Sequence, residues 1–233
     1  MRSSDSHDTT GQEHRTPGEN ADRRRAVRRR SKSADEIADA YADVADELAR
    51  WRGLERPFVG RYRRRQFGQA SGRVLDVACG TGRNFRHLPS ASEVVGVDVS
   101  DEMLAHARSE LDGLDLSGTV HRMDAQALDL PDDSFDAVIS SFSTCTFPDP
   151  VAALREMERV CTPDGRILLL EHGRSDVAPL AWLQDRRADS HYEKNGCRLN
   201  HEPLETVERA GLPVRNASTA SFGLVVAIDA TPR

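Results

Sequence analysis

An α/β fold, doubly wound and mostly parallel, with a seven-stranded sheet and helices on both faces, follows from three features of the sequence. Short apolar runs that read as strands alternate with stretches of helical period along residues 34–233. The first run, Val74-Leu75-Asp76-Val77, empties into a glycine-bearing loop, Ala78-Cys79-Gly80-Thr81-Gly82, as a buried parallel strand does at a tight turn. The second, Val94-Val95-Gly96-Val97, ends in Asp98, sixteen positions past Gly82. An acid placed there can accept both hydroxyls of a ribose. Glycine loop, second strand and acid together read as the nucleoside-binding half of a doubly wound sheet.

The elements follow in order. Residues 1–33 are Ser, Thr, Gly, Asp and Arg with almost no apolar side chains, so they are expected to be disordered for want of surface to bury. Arg23-Arg24-Arg25 and Arg28-Arg29-Arg30 could form a basic arm for nucleic acid or anionic lipid. No aromatic residues interleave them, so a solvated tail is the preferred reading and nucleic acid is not an expected partner. From Ala34, Ile37, Ala38, Tyr41, Val44, Ala45 and Leu48 recur at helical spacing, predicting an amphipathic helix with Tyr41 on its apolar face and Ser33 as its N-cap. A further helix through Arg61–Phe67, its arginines read as a solvated face, completes an N-terminal helical cap over 34–70. Strand one is Arg73 to Ala78, a short helix starts at Asn84, and strand two is Glu93 to Val97. Ser100 caps a helix with Asp101 and Glu102 in its first turn and Met103, Leu104, Ala107 and Leu111 on its inner stripe. Strand three lies near Thr119 to Arg122 and leads to Asp124; strand four is Phe135 to Ser141. Val151, Leu154, Met157 and Val160 mark a helix, and Pro163-Asp164-Gly165 a turn. Strand five, Ile167 to Leu170, is apolar on both faces, as a central parallel strand should be. Leu204, Val207 and Ala210 give a last helix stopped at Gly211, and strands near Val214 and at Leu224 to Ile228 close the sheet.

Composition sets the bounds. The 233 residues suffice for one α/β domain with extensions. No apolar run approaches the ~18–20 residues of a membrane span, and the polar N-terminus lacks the apolar region of a secretory signal. A cytoplasmic protein is expected, with peripheral membrane contact left open. Cys79, Cys145, Cys161 and Cys197 show no CxxC spacing, so free thiols in a reducing compartment are expected and a structural zinc site is not. Cys145 and Cys161 read as packing residues, since nothing basic adjoins them in sequence. Net charge is −6, and all but Lys32 and Lys194 of the 32 basic residues are arginine. Scarce lysine with abundant aspartate fits either a salt-rich cytoplasm or a biased genome composition.

Ligands of an open α/β sheet bind outside the carboxyl ends of its strands. The polar groups there are Asp76, Asp98, Asp124, Ser140-Ser141 and Glu171-His172. Three acids suit a nucleoside without phosphate and would repel a pyrophosphate at a cost of about 1–4 kcal/mol. The third glycine of a dinucleotide fingerprint is replaced by Phe85. A nicotinamide-dependent oxidoreductase is therefore disfavoured. Two rival readings stand beside it: a nucleic-acid binder working through residues 23–30, and a fold that binds a cofactor without turnover.

Val74 to Gly82, then Val97-Asp98-Val99-Ser100 with Met103-Leu104, then Asp124-Ala125 and Leu130-Pro131-Asp132-Asp133-Ser134-Phe135-Asp136 resemble the S-adenosylmethionine-dependent methyltransferases of the seven-stranded Rossmann-like class. The likeness is strongest to the branch that includes ubiquinone/menaquinone-biosynthesis and phospholipid N-methyltransferases, and it runs over roughly residues 34 to 233. The departure is Ala78, where that family usually has its first glycine. The resemblance implies S-adenosyl-L-methionine as cofactor. It implies that Gly80 and Gly82 let the backbone approach the methionine moiety, with Asp76 near its amino group. It implies Asp98 on the ribose, Val99 and Met103 flanking the adenine, and Asp124 meeting the adenine amino group with Ala125 supplying a backbone contact. It implies Ser140 beside the sulfonium and Tyr41 closing over the site. The sulfonium methyl is already activated, so a general base is needed only if the acceptor must lose a proton; His172 is the candidate, and no metal is expected. Leu180, Trp182 and Leu183 could roof an apolar acceptor pocket, with Arg174 or Arg198 holding a phosphate or carboxylate. The acceptor is expected to be a small molecule or lipid-like.

Overall fold

The computed structural model describes residues 31–42, 45–50, 59–114 and 116–233; the expectations for the arginine-rich tail fall outside them. Among these residues, β1 (Ser71–Val77), β2 (Ser90–Asp98), β3 (Gly118–Arg122), β4 (Phe135–Ser141), β5 (Cys161–His172), β6 (Val214–Ala220) and β7 (Val225–Ala230) form one sheet in the order β3-β2-β1-β4-β5-β7-β6. Neighbours pair parallel except that β7 runs antiparallel to both β5 and β6. The chain winds outward from β1 to β3 and then returns to place β4 on the other side of β1. That reversal is the point where a doubly wound sheet opens a crevice.

The helices are α1 (Ala34–Ala42), α2 (Ala45–Arg50), α3 (Gly60–Phe67), α4 (Asp101–Asp112), α5 (Pro150–Val160), α6 (Ala178–Asn195) and α7 (Pro203–Ala210). The amphipathic stripe from Ile37 is thus divided between α1 and α2, and Val44 lies outside the described residues. Ser33 starts α1 with a capping box: its Oγ accepts the Glu36 N–H at 3.2 Å, and Glu36 Oε2 accepts the Ser33 N–H at 2.8 Å. Ser100 Oγ accepts the Met103 N–H to start α4. Asp149 does the same for α5, with Pro150 in the first turn. Gly211, at φ 84°, ends α7 as predicted. The helix expected from Asn84 is a single 3-10 turn, Phe85–His87.

β4 has the bounds read from the sequence. β5 is longer than expected and absorbs Pro163-Asp164-Gly165: pairing with β4 jumps from Phe135↔Cys161 to Ala137↔Arg166. The intervening residues bulge from the ladder, as suits a proline that has no N–H to give.

Side-chain alternation along the strands builds two apolar layers. Val74, Ile139, Leu168 and Leu170 face Phe67 of α3 and Leu104 and Leu111 of α4. Leu75, Val77, Val138 and Leu169 face Leu154 and Met157 of α5 and Val207 of α7. Each fully buried leucine contributes about 1.5–3 kcal/mol. Gln66 of α3 donates to Leu169 O at 3.2 Å and Ile228 O at 2.7 Å, tying the cap to the sheet. No helix among the described residues is long and apolar enough to cross a membrane.

Candidate active site

The carboxyl ends of β1, β2 and β4 surround a cavity of about 330 Å³ at the strand-order reversal, within the size range of small-molecule sites. Tyr41 of α1 lines it, with Ala78 and Gly80 from the loop after β1 and Asp98 and Val99 from the end of β2. Met103 of α4 and Asp124 and Ala125 after β3 complete the part read from the sequence.

The loop after β1 is left-handed at alternate residues: φ is 55° at Ala78, 53° at Gly80 and 75° at Gly82. A Cβ added to Gly80 would meet nothing within 4 Å, so that residue presents bare backbone to the cavity. A Cβ on Gly82 would stand 2.7 Å from the Phe85 ring and 3.2 Å from Ala107 Cα. Gly82 therefore seats the loop on the core. Gly82 does not line the cavity.

Asp98 binds the loop to the end of β2. Its Oδ2 accepts the Gly80 N–H at 2.9 Å and its Oδ1 the Ser100 N–H at 3.0 Å. Burial pushes its carboxyl above the ordinary value against the pull of these donors. Asp124 is held by the Gln126 N–H at 2.9 Å and the Gln126 side-chain amide at 3.0 Å.

Asp76 does not reach the wall. It is wholly buried, and Asn84 Nδ2 donates to both its oxygens, at 3.0 and 3.1 Å. Asn84 Oδ1 accepts in turn from Arg63 Nη1 and from Ser141 Oγ, and Arg63 Nη1 also donates to Ser141 Oγ at 2.6 Å. Arg63 and Ser141 do line the cavity, so the acid acts on it through two intermediaries. Burial pushes Asp76 up to about 7, opposed by Asn84 and Arg63; burial also draws Arg63 down to about 10. Arg63, expected on a solvated face, is 6% exposed. The signal for it is helical phase: Arg63, Gln66 and Phe67 share one helix face, and all three are buried.

Ser140 is also displaced from its expected place. It is fully buried, donates to Val77 O at 2.7 Å and bonds Ser143 Oγ, while its neighbour Ser141 takes the wall position. Glu171 lies buried behind the loop after β4 and accepts the N–H groups of Ser143 at 3.1 Å and Thr144 at 3.4 Å. Burial pushes it up to about 7.

His172 ends β5 and does not line this cavity. Its Nε2 lies 3.2 Å from Cys197 Sγ, which lies 3.4 Å from Cys145 Sγ. The Cys145 thiol, then His172, hold the Cys197 sulfur down to about 4, while Cys145 is raised. Burial opposes charging of His172, yet the Cys197 sulfur and Glu171 lift it above its usual value. The expectation that nothing basic stands near Cys145 holds along the chain and fails in space.

Leu180, Trp182 and Leu183 are 39%, 61% and 37% exposed on α6 and do not roof the cavity. Arg174 pairs with Asp185 at 2.7 Å, and the Arg198 guanidinium lies 4.2 Å from the Tyr192 ring centre.

Residues 75–169 match the family model described as Methyltransferase domain. Over 115 residues the chain is 39% identical to a phosphatidylethanolamine N-methyltransferase of Cereibacter sphaeroides, covering 48% of this chain and 57% of that protein. Over 160 residues it is 34% identical to the ubiquinone/menaquinone biosynthesis C-methyltransferase UbiE of Proteus mirabilis, covering 64% of each. The chain thus spans between half and two thirds of the length of these relatives. A solved SAM-dependent methyltransferase from Thermotoga maritima has the same fold, with a TM-score of 0.64 at 20% identity over 84% of this chain and 100% of that one. By its sheet order and these likenesses, the chain has the Rossmann-like fold of solved methyltransferases, and residues 75–169 are similar to a methyltransferase domain.

Proposed function

We propose that this chain transfers the methyl group of S-adenosyl-L-methionine to a small-molecule or lipid-like acceptor. One observation carries the reading: Gly80, Asp98, Asp124 and Arg63 all line one cleft at the β1/β4 reversal. That donor set fits a nucleoside with a zwitterionic tail. The two Asp98 oxygens accept the Gly80 and Ser100 N–H groups and keep lone-pair capacity for ribose hydroxyls. Val99 and Met103 offer an apolar wall to the adenine, and Asp124 an acceptor for its amino group. Arg63 suits the carboxylate of the amino-acid tail, steadied by Asn84 and the Asp76 carboxylate behind it.

Bound there, the cofactor supplies a methyl group already activated by its sulfonium. The chain's own work is to align an acceptor and to keep water out, which can lower the barrier by several kcal/mol. Tyr41 closes the wall as a neutral phenol: burial, with Cys145, Cys197, Asp98 and Glu171 nearby, pushes its pKa above the usual value. It is a wall and not a base. The relatives named for phosphatidylethanolamine and for ubiquinone/menaquinone support an amphipathic acceptor.

Separate calorimetric titrations with S-adenosylmethionine, S-adenosylhomocysteine and NADH test the cofactor, with heat expected for the first two alone. Incubation with methyl-labelled cofactor and a lipid or quinone extract tests the acceptor. A methylated protein or RNA as the only labelled product would defeat the acceptor class.

A further inference from the structure

Three side chains remote in sequence meet beside the Tyr41 wall. The sulfur atoms of Cys145 and Cys197 and a ring nitrogen of His172 all lie within 4.8 Å of one another. The closest approaches are 3.4 Å between the two sulfurs and 3.2 Å between His172 Nε2 and Cys197 Sγ. A tetrahedral zinc ion, with Zn–S near ~2.3 Å and Zn–N near ~2.05 Å, would set its donors ~3.8 Å apart for S···S and ~3.5 Å for S···N. The two short separations open by a few tenths of an ångström to admit the ion, and the Cys145–His172 pair, within 4.8 Å, adjusts toward the same S···N distance.

We propose that Cys145, His172 and Cys197 form a binding site for a borderline-soft divalent cation of the zinc class.

Three separate segments bring the donors together, and main-chain or buried bonds hold each one. Cys145 follows Ser143 and Thr144, whose N–H groups are fixed on Glu171. Cys197 follows Gly196, the left-handed cap of α6 at φ 69°, and the Arg198 N–H donates to Cys145 O at 3.2 Å, so the two cysteine segments are bonded to each other. His172 is the last residue of β5. Donors prepositioned in this way need no refolding to bind. Coordination releases the remaining thiol protons to solvent, and two thiolates cancel the charge of the ion, so the half-buried cluster carries none. A disulfide between Cys145 and Cys197 would leave the imidazole without a role, whereas an ion uses all three groups. Three protein ligands leave a fourth position for water or another ligand, the composition of open rather than closed zinc sites.

The consequence is a tie beside the Tyr41 wall of the cleft. The ion would join the loop after β4, the end of β5 and the segment after α6. A Cβ on Gly196 would meet Ile37 Cδ1 at 2.5 Å, so α1, which carries Tyr41, packs on that last segment.

The test uses the full chain, reduced and stripped with chelator, titrated with cobalt(II) and followed by absorbance. One equivalent should bind with sulfur-to-cobalt charge-transfer bands and tetrahedral d–d bands, and zinc should abolish them. Cys145→Ser and Cys197→Ser should each remove the charge-transfer intensity of one thiolate. Each should also weaken binding by more than the ~10–100-fold that loss of an outer-shell partner costs. Cys161→Ser, which alters a buried thiol outside the cluster, should bind as the parent does. Absence of charge-transfer bands in the reduced parent, or their undiminished survival in Cys197→Ser, overturns the site. So does a Cys145–Cys197 disulfide already present in the purified protein that persists in reductant. The proposal does not rest on methyl transfer, and calorimetry with S-adenosylmethionine on the same stripped protein reports that reading separately.

Discussion

The loop after β1 invites a paired substitution, because its two glycines have different physical reasons to be glycine. Both are left-handed, at φ 53° and 75°, and alanine in that region costs about 1–2 kcal/mol. For Gly80→Ala that is the whole cost to the fold, since the new methyl group meets nothing within 4 Å. For Gly82→Ala the methyl group also lands 2.7 Å from the Phe85 ring, and wedging a carbon into a packed core adds about 1–3 kcal/mol. Thermal melts should therefore separate them: at roughly 2–4 °C per kcal/mol for a domain of this size, Gly80→Ala falls by about 2–8 °C and Gly82→Ala by about 4–20 °C. Calorimetry with S-adenosylmethionine should invert the order. Gly80→Ala puts a methyl group where the proposed cofactor would meet backbone and should weaken binding by about tenfold or more, whereas Gly82→Ala at a temperature where it is folded should bind within a few-fold of the parent. Equal melting losses, or an unchanged affinity in Gly80→Ala, would refute this division of labour. Ala78 supplies an internal control: at φ 55° it already bears the strain, so Ala78→Gly should recover up to about 1 kcal/mol without loss of affinity.

Three further outcomes concern the same site. Asp98→Ala leaves the Gly80 and Ser100 N–H groups without their carboxylate and would remove the two charge-assisted bonds proposed to the ribose; calorimetry should show cofactor affinity lower by about 100-fold or more. Arg63→Leu should weaken cofactor binding by about 10- to 100-fold, while Arg64→Leu and Arg65→Leu, on the exposed face of α3, should leave it unchanged. Asp76→Asn should alter the pH dependence of stability. With its folded pKa raised to about 7 from an ordinary 3.8, Asp76 keeps its proton in the folded state over that interval, so its contribution is complete below about pH 4 and declines as pH rises to 7. Urea titrations at pH 5 and pH 8 should show Asp76→Asn gaining on the parent at the higher pH, by up to about 3 kcal/mol for the roughly 2 units left above pH 5 at ~1.4 kcal/mol per unit, and an advantage at the lower pH instead would sink the assignment.

What is legible in the sequence is what local punctuation specifies. Buried parallel strands are continuous apolar runs, and the residues that end them face the crevice by construction, so Gly80, Asp98 and Asp124 can be read one strand at a time. Pro163-Asp164-Gly165 misleads because the triplet looks the same in a turn and in a bulge; only the partner strand, continuing from Phe135 to Ala137, decides between them. Side chains that act through one another stay hidden. Arg63 reaches Ser141 across 78 positions and Cys145 meets Cys197 across 52, separations at which spacing carries no information. Arg63 is recoverable in principle, since its helical phase with Phe67 sets it apart from Arg64 and Arg65. Ser140 and Ser141 differ by one residue, and β-strand alternation sends them to opposite faces; nothing in the sequence chooses which one the cavity keeps.

The two fully buried carboxylates explain why the wall holds its shape. Asp76 and Glu171 belong to strands on either side of β4, and burial pushes both up to about 7. Neither lines the cavity. Each takes donors from a loop that does: Asp76 through Asn84 in the loop after β1, Glu171 through the Ser143 and Thr144 N–H groups in the loop after β4. Apolar contacts alone would let such loops slide, because dispersion is nearly indifferent to direction, whereas a carboxylate with several donors fixes both distance and angle. The desolvation of two acids is a standing cost to the fold, offset by the apolar layers around Leu168, Leu169 and Leu170. A chain selected for stability alone would replace both with neutral residues; that this one keeps them, next to the crevice and behind its wall, is what a requirement for two rigid loops at a shared site would produce.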